Sequence, residues 1–380
     1  MKPPFTYLEF FAGGGMARLG LGDSWRRALA NDIDSQKCAA YRANFGGDGL
    51  VEGDIAEIGA SVVPGERPDL MWGSFPCQDL SLAGLRGGIK AKRSGLFYAF
   101  ERIARELHAE GRAPKMIALE NVTGLLTSDG GNDFAAVAGA LAALDYRVSA
   151  LVLDAADFTP QSRPRLFILG FANDTAPPTS NEPSKKTAPH ALISAVANLD
   201  DETRKRFVWL APAPRRIRNA SLGDIIDWNA EDWRTRKETR ALIAMMSPVQ
   251  RSRLDALVKS GARRAGAGFR RTRIENGETV QRFEARFDGV AGCLRTPAGG
   301  SSRQIIVAVD KGAVRTRLMS PREAARLMGL PEDYMLPAST TAALKLCGDG
   351  VCVPVVSWLA GAVFEPALAP AWSSYAVNAA

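Results

Sequence analysis

The chain has 380 residues, 46% hydrophobic and 23% charged, which is enough apolar material for two or three domains and excludes a disordered or fibrous protein. Its five cysteines (Cys38, Cys77, Cys293, Cys347 and Cys352) are odd in number and form no C-x-x-C pair, which argues against a disulfide framework or structural zinc and for a reducing compartment. Two histidines, His108 and His190, exclude a His-rich metal site, so no metal is expected.

The net charge of +7 is unevenly placed. Residues 204–273 carry 18 Lys and Arg against 6 Asp and Glu, which leaves the remainder of the chain acidic. Arginine clusters at Arg215-Arg216-Arg218, Arg263-Arg264 and Arg270-Arg271-Arg273 are interleaved with Trp228 and Trp233, a pattern suited to a polyanion because guanidinium forks match phosphates and guanine edges. The N-terminal stretch carries Glu9 within its apolar part and lacks a signal-peptide layout. The apolar run of residues 351–364 contains Pro354 and falls short of the ~18 residues of a membrane helix. A soluble, cytosolic chain is expected.

In chain order, residues 5–11 read as a buried strand ended by Gly13-Gly14-Gly15, followed by a helix over 16–21. A short strand at 27–30 ends in Asn31-Asp32-Ile33-Asp34, and a helix follows over 35–44. Strands are expected at 69–72, 115–119, 146–153 and 165–171, with helices at 96–108 and 132–144. This alternation predicts a parallel, doubly wound α/β sheet. Near residue 174 Pro, Ser and Thr cluster and the alternation stops. Order returns at about 291, with a strand at 305–309 and helices at 321–328 and 355–363. The predicted organisation is an α/β domain over 1–174 and 291–380, split by a smaller basic domain over 175–290.

Four segments carry chemistry. The strand, glycine turn and helix around Phe11, Gly13 and Gly15 form a nucleotide-type turn, with Asp32 where a ribose-binding carboxylate falls; Gly20 is too distant to complete G-x-G-x-x-G, which argues against NAD. Gly73-Ser-Phe-Pro76-Cys77-Gln78 follows a strand, and its Pro-stiffened Cys is a candidate covalent nucleophile. Glu120-Asn121-Val122 ends another strand; its carboxylate suits acid–base chemistry or, equally, a helix cap. Gln161-Ser-Arg163-Pro-Arg165 offers two guanidiniums on one side of an extended chain. The polar stretch Gly299 to Gln304 reads as a loop whose Arg303 and Gln304 reach phosphates or base edges, or as an ordinary turn.

Taken together these segments closely resemble the DNA (cytosine-5)-methyltransferase family. Phe11, Gly13 and Gly15 match its F-x-G-x-G turn, Pro76-Cys77-Gln78 with Ser81 its P-C-Q-x-x-S loop, Glu120-Asn121-Val122 its E-N-V, and Gln161, Arg163 and Arg165 its Q-x-R-x-R. Further matches are Asp32 and Asp34, Gly53-Asp54-Ile55, residues 94–97, the stretch Arg317 to Pro331, and Gly348-Asp349-Gly350-Val351. Asp349 stands where the family usually has Asn, and Met16 where it commonly has Gly.

The resemblance implies an α/β, doubly wound Rossmann-like methyltransferase sheet with an inserted target-recognition domain. It implies the EC 2.1.1.37 reaction, methyl transfer from S-adenosylmethionine to C5 of a flipped-out cytosine in duplex DNA, leaving S-adenosylhomocysteine. By resemblance Cys77 adds to C6, Glu120 holds N3 and the exocyclic amine, and Arg163 binds the O2 side, with Arg165 completing the catalytic set. Phe11, Gly13, Gly15, Asp32, Asp54, Ile55, Pro76, Asp349 and Val351 are the implied cofactor contacts. The same resemblance implies a monomer of bacterial or phage origin, cytoplasmic, held to the nucleoid through DNA, with a separate restriction endonuclease as partner. A tRNA cytosine-5 methyltransferase, a silent DNA-binding protein and a nicotinamide oxidoreductase are the alternatives; the Arg-rich insert favours duplex DNA over tRNA.

Overall fold

The apolar run Phe5–Phe10 forms strand β1, its last four residues buried. It starts a seven-stranded sheet of order β3-β2-β1-β4-β5-β7-β6. The other strands are β2 (Trp25–Asp32), β3 (Leu50–Glu52), β4 (Leu70–Gly73), β5 (Met116–Val122), β6 (Arg147–Asp154) and β7 (Pro164–Phe171). The computed structural model describes residues 5–75, 95–215, 217–296 and 302–369. These belong to two units, one of Met1–Leu153, Pro164–Arg215 and Val355–Ala380, the other of Asp154–Arg163 and Arg216–Pro354. Residues 175–215 thus group with the sheet, and residues 291–354 with the basic segment.

In the first unit β1 pairs in parallel with β2 and β4, β2 with β3, and β4 with β5. The expectation of an all-parallel sheet is corrected at β7, which runs antiparallel to β5. Only residues 155–163 join β6 to β7, too few for the crossover that a parallel strand requires. Helices α1 (Met16–Leu21), α2 (Ser35–Phe45), α3 (Gly95–Ala109) and α4 (Asn132–Ala143) alternate with the strands. Helix α3 buries Phe97, Phe100, Ile103, Ala104 and Leu107, the i, i+3, i+4 stripe of an amphipathic helix. Beyond β7 come a two-stranded pair, β8 (Thr179–Ser180) with β9 (Trp209–Leu210), and helices α5 (His190–Ala197) and α6 (Asp201–Arg206).

The basic segment has more order than its sequence suggests. Helices α7 (Leu222–Ile225), α8 (Arg236–Ala244) and α9 (Pro248–Ser260) precede strands β10 (Arg264–Glu275), β11 (Glu278–Arg286), β12 (Ile305–Asp310) and β13 (Ala313–Leu318). These form an antiparallel sheet of order β11-β10-β12-β13. The β10–β11 hairpin turns at Asn276-Gly277, φ 52° and 83°, the left-handed pair that a tight hairpin needs. Leu242, Ile243, Met246 and Leu254 pack on Phe283, Ile305, Val307 and Val309 to form this unit's own core. Helices α10 (Pro321–Leu327), α11 (Thr340–Asp349), α12 (Val353–Leu359) and α13 (Glu365–Leu368) complete the described chain. The run Thr340–Leu368 is long and apolar enough to cross a membrane by length and composition, but 61% of its apolar window is buried inside the protein, so it serves as core.

Two buried charges yield predictions. Arg317 and Glu323, each 1% exposed at the side chain, form a two-bond pair, with Arg317 Nη1 2.8 Å from Glu323 Oε2. Glu323 also accepts the backbone N–H groups of Asp227 and Ser320 at 2.8 Å. Removing one partner strands the other, so Arg317→Ala should cost about 3–5 kcal/mol in a denaturant titration, while Arg317→Met with Glu323→Leu should cost less. In the first unit, burial raises the Glu9 carboxyl to about 8, against the pull of Arg18 and Arg27. An unfolded Glu ionises near ~4.3, so folding takes up a proton between that pH and 8, and stability falls as pH rises through the interval. The stability of Glu9→Gln relative to wild type should therefore increase from pH 5 to pH 8 in melting curves; a pH-independent difference contradicts this.

Candidate active site

The strand order reverses between β1 and β4, and in such a sheet the crevice for a ligand opens at the strands' carboxyl ends. The turn leaving β1 is built for close approach. Phe11, Gly13 and Gly15 have φ of 58°, 57° and 77°, and a bulky residue such as Phe11 pays strain of about 1–3 kcal/mol there. At Gly15 a Cβ would also lie 2.4 Å from the Phe45 ring. The Gly15 N-cap of α1 has no side chain to cap the helix.

Asp32 fastens this turn to the end of β2. Its Oδ2 accepts the Gly13 N–H at 2.7 Å and its Oδ1 the Asp34 N–H at 2.8 Å. Asn31 Nδ2 donates to the carbonyls of Val51 and Gly53 at 3.0 and 2.9 Å, drawing the end of β3 alongside. Asp54 then caps the turn Ile55–Glu57 by accepting the Ala56 N–H, and Ile55 is buried. Six of the expected cofactor residues, Phe11, Gly13, Gly15, Asp32, Asp54 and Ile55, thus gather at the ends of β1, β2 and β3.

At the ends of β4 and β5, Asn121 Nδ2 donates to the Phe75 carbonyl at 3.1 Å, fixing the chain one residue before Pro76. Pro76 and Cys77 lie outside the described residues. Glu120 is buried at the end of β5, and Arg165 Nε lies 2.9 Å from its Oε1. The antiparallel register explains the pair: Glu120 faces Phe167, so Arg165 two residues along lies diagonally across from it.

In the second unit Arg163 has a setting the sequence does not suggest. Arg163, expected at the O2 side of the base, is 3% exposed and donates to the carbonyls of Gly348, Gly350 and Leu294 at 3.0, 2.7 and 3.3 Å. Its guanidinium holds backbone together, and Arg165 is the one beside Glu120. Gln161 is structural as well, donating to Leu327 O at 2.9 Å and accepting from Leu294 N–H at 3.2 Å. Asp154 shapes the approach by accepting the Arg163 N–H at 2.7 Å. Asp349 ends α11, an unfavourable place for an anion, and takes a hydrogen bond from the Thr296 hydroxyl. Val351 is buried nearby in sequence.

Three surface expectations also change. Gln304 is 3% exposed and donates to Gly292 O, so it does not reach outward, and half-buried Arg303 donates through Nε to Met319 O. Trp228 carries the Arg263 guanidinium at 4.2 Å, and Trp233 those of Arg315 and Arg317 at 4.4 and 4.8 Å. The interleaved tryptophans are thus covered by the protein's own cations. Among the described residues no group of three or more His, Cys, Asp and Glu could hold a metal ion. The sequence reading missed Glu9 and Asp154; a carboxylate inside or at the end of a buried strand was the signal for both.

The family model for C-5 cytosine-specific DNA methylase matches residues 5–365. The chain is 28% identical over 365 residues to the Type II methyltransferase M1.ScrFI of Lactococcus lactis subsp. cremoris, covering 95% of this chain and 78% of that protein. It is 28% identical over 359 residues to the Type II methyltransferase M.HhaI of Haemophilus parahaemolyticus, covering 93% and 92%. In fold it resembles the S. pombe Dnmt2 methyltransferase, with TM-score 0.57, 18% identity and coverage of 93% and 97%. The Entamoeba histolytica methyltransferase EhMeth gives TM-score 0.60, 14% identity and coverage of 93% and 96%. The chain belongs to the C-5 cytosine-specific DNA methylase family.

Proposed function

We propose that the chain transfers a methyl group from S-adenosylmethionine to C5 of a cytosine flipped out of duplex DNA, with Cys77 as covalent nucleophile. The observation that carries this reading is the buried Arg165–Glu120 ion pair, 2.9 Å across, at the same strand-end edge as Phe75, which precedes the Pro76-Cys77 loop. Three of the other four cysteines are poorly suited. Burial pushes the thiols of Cys38 and Cys347 up to about 12, and Cys352 is buried, whereas a nucleophile must reach the thiolate.

Cytosine C5 is a weak nucleophile. Cys77 adds through sulfur to C6, which gives C5 carbanion character, and Glu120 donates a proton at N3 to stabilise the developing charge. Arg165 orients Glu120 and polarises the O2 side. Loss of the C5 proton and departure of the Cys77 sulfur restore the aromatic ring after methylation. S-adenosylmethionine, when bound, supplies the methyl group as an electrophile. The donor set at the ends of β1–β3 suits it: Asp32 for ribose hydroxyls, Asp54 for the adenine amine, Ile55 and Phe11 beside the adenine, and glycines near the methionine portion. The family resemblance adds Pro76, Asp349 and Val351 as cofactor contacts. Flipping the base costs a few kcal/mol. The reading also makes the enzyme a cytoplasmic monomer on bacterial or phage DNA, with a restriction endonuclease as companion.

Incubation with tritiated S-adenosylmethionine and duplex DNA tests this directly. Wild type should label cytosine C5, and Cys77→Ala should abolish labelling while still binding DNA; label in RNA alone, or turnover by Cys77→Ala, overturns it. The two arginines should separate. Arg165→Lys, which keeps a cation beside the buried Glu120 but not the guanidinium fork, should lower kcat by about 10²–10³ with a small change in melting temperature. Arg163→Ala should destabilise the fold by several times ~1 kcal/mol, because several buried carbonyls lose their donor. The opposite split would restore Arg163 to the base.

A further inference from the structure

Arg270, Arg271 and Arg273 form one cluster in sequence but occupy three environments in the β10–β11 hairpin. Strand alternation sets Arg270 on one face of β10 and Phe269, Arg271 and Arg273 on the other. Arg273 grips Glu284 with bonds of 2.5 and 2.7 Å. Arg282 pairs with Glu275, and Arg286 with Asp288. Arg271 shares Glu284 with Arg273 as a looser partner, 3.3 Å away, and its buried Nε makes no hydrogen bond.

Arg271 lines a groove of about 360 Å³ with Arg253 and Gln250 of α9, Phe269, Cys293 and Arg295. Three guanidiniums thus converge from a helix, a strand and the segment after Cys293. The Phe269 ring supports two of them, with Arg271 and Arg295 5.8 and 5.2 Å from its centroid. Stacking fixes the plane of a guanidinium while leaving its N–H edge to donate. Arg253 and Arg295 are exposed and form no ion pair with a described carboxylate. Like charges gathered this way repel one another and favour a polyanion between them.

We propose that this groove grips the sugar–phosphate backbone of the DNA substrate, with Arg253, Arg271 and Arg295 as phosphate contacts. The proposal rests on the DNA reading above and adds where the second unit holds the strand: in this groove, where Arg253 and Arg295 pair with no described carboxylate and Arg271 has only a share of Glu284 with Arg273.

The test uses the full chain, with Arg253→Gln and Arg295→Gln made separately; both side chains are exposed, so the fold tolerates their loss, which matching melting curves verify. Binding is measured by fluorescence anisotropy over a salt series, on a duplex that the enzyme methylates and on one that it does not. Each variant should lose roughly 0.9 of the slope of log affinity against log salt, equally on both duplexes. Unchanged slopes in both variants, or a loss confined to the methylated duplex as a base-reading arginine gives, would overturn the proposal. If wild type binds with a steep slope and the variants match it, the groove alone falls. If wild type shows no salt-dependent duplex binding, the DNA reading falls with it.

Discussion

Strand β1 lies between β2 and β4, parallel to both, and the placement of the first unit's site residues follows from that pairing. Parallel neighbours open their carboxyl ends on one edge, so the turn after β1, the carboxylates after β2 and β3, and the loop after β4 all leave the sheet together. Burial makes the edge rigid. Asp32 spends both oxygens on backbone N–H groups of the turn and of residue 34, and Asn31 and Asn121 tie neighbouring strand ends with their amides. Short polar side chains thereby tie the strand ends to one another directly.

The reversal of β7 is the second constraint. A strand running antiparallel to β5 delivers Arg165 from the opposite direction onto Glu120, within the same buried edge. A buried carboxylate needs a paired cation, and here the pair also sets the carboxylate's orientation. Two residues earlier the chain has a different task. Arg163 gathers the carbonyls around the end of α11, so one short motif contributes a positioning cation to one unit and a structural cross-brace to the other.

Much of this was legible in the sequence where period and turn chemistry agreed. The strand at 5–10, the glycine turn, the helix at 132–143 and the strands at 147–154 and 164–171 all stand close to where periodicity puts them. The roles of Arg163 and Arg165 were not legible, because the two-residue spacing suggests a shared side only within a strand, and β7 begins at Pro164. The β10–β11 hairpin was hidden as well. In β10 residues 265–269 are buried in an unbroken run and residues 270–275 are mostly exposed, so the strand shows no period-two contrast, and the partner of Arg271 and Arg273 lies beyond the turn at Glu284. The Asn276-Gly277 dipeptide was the one local sign of it.

The central claim is that Cys77 bonds to the cytosine ring, and a trapped adduct tests it most directly. DNA carrying 5-fluorocytosine at the methylated position cannot lose fluorine as a cation, so the covalent complex should accumulate with S-adenosylmethionine and survive denaturation. Peptide mapping by mass spectrometry should find the nucleotide on Cys77. An adduct on Cys293 or any other residue, or turnover without an adduct, would contradict the account.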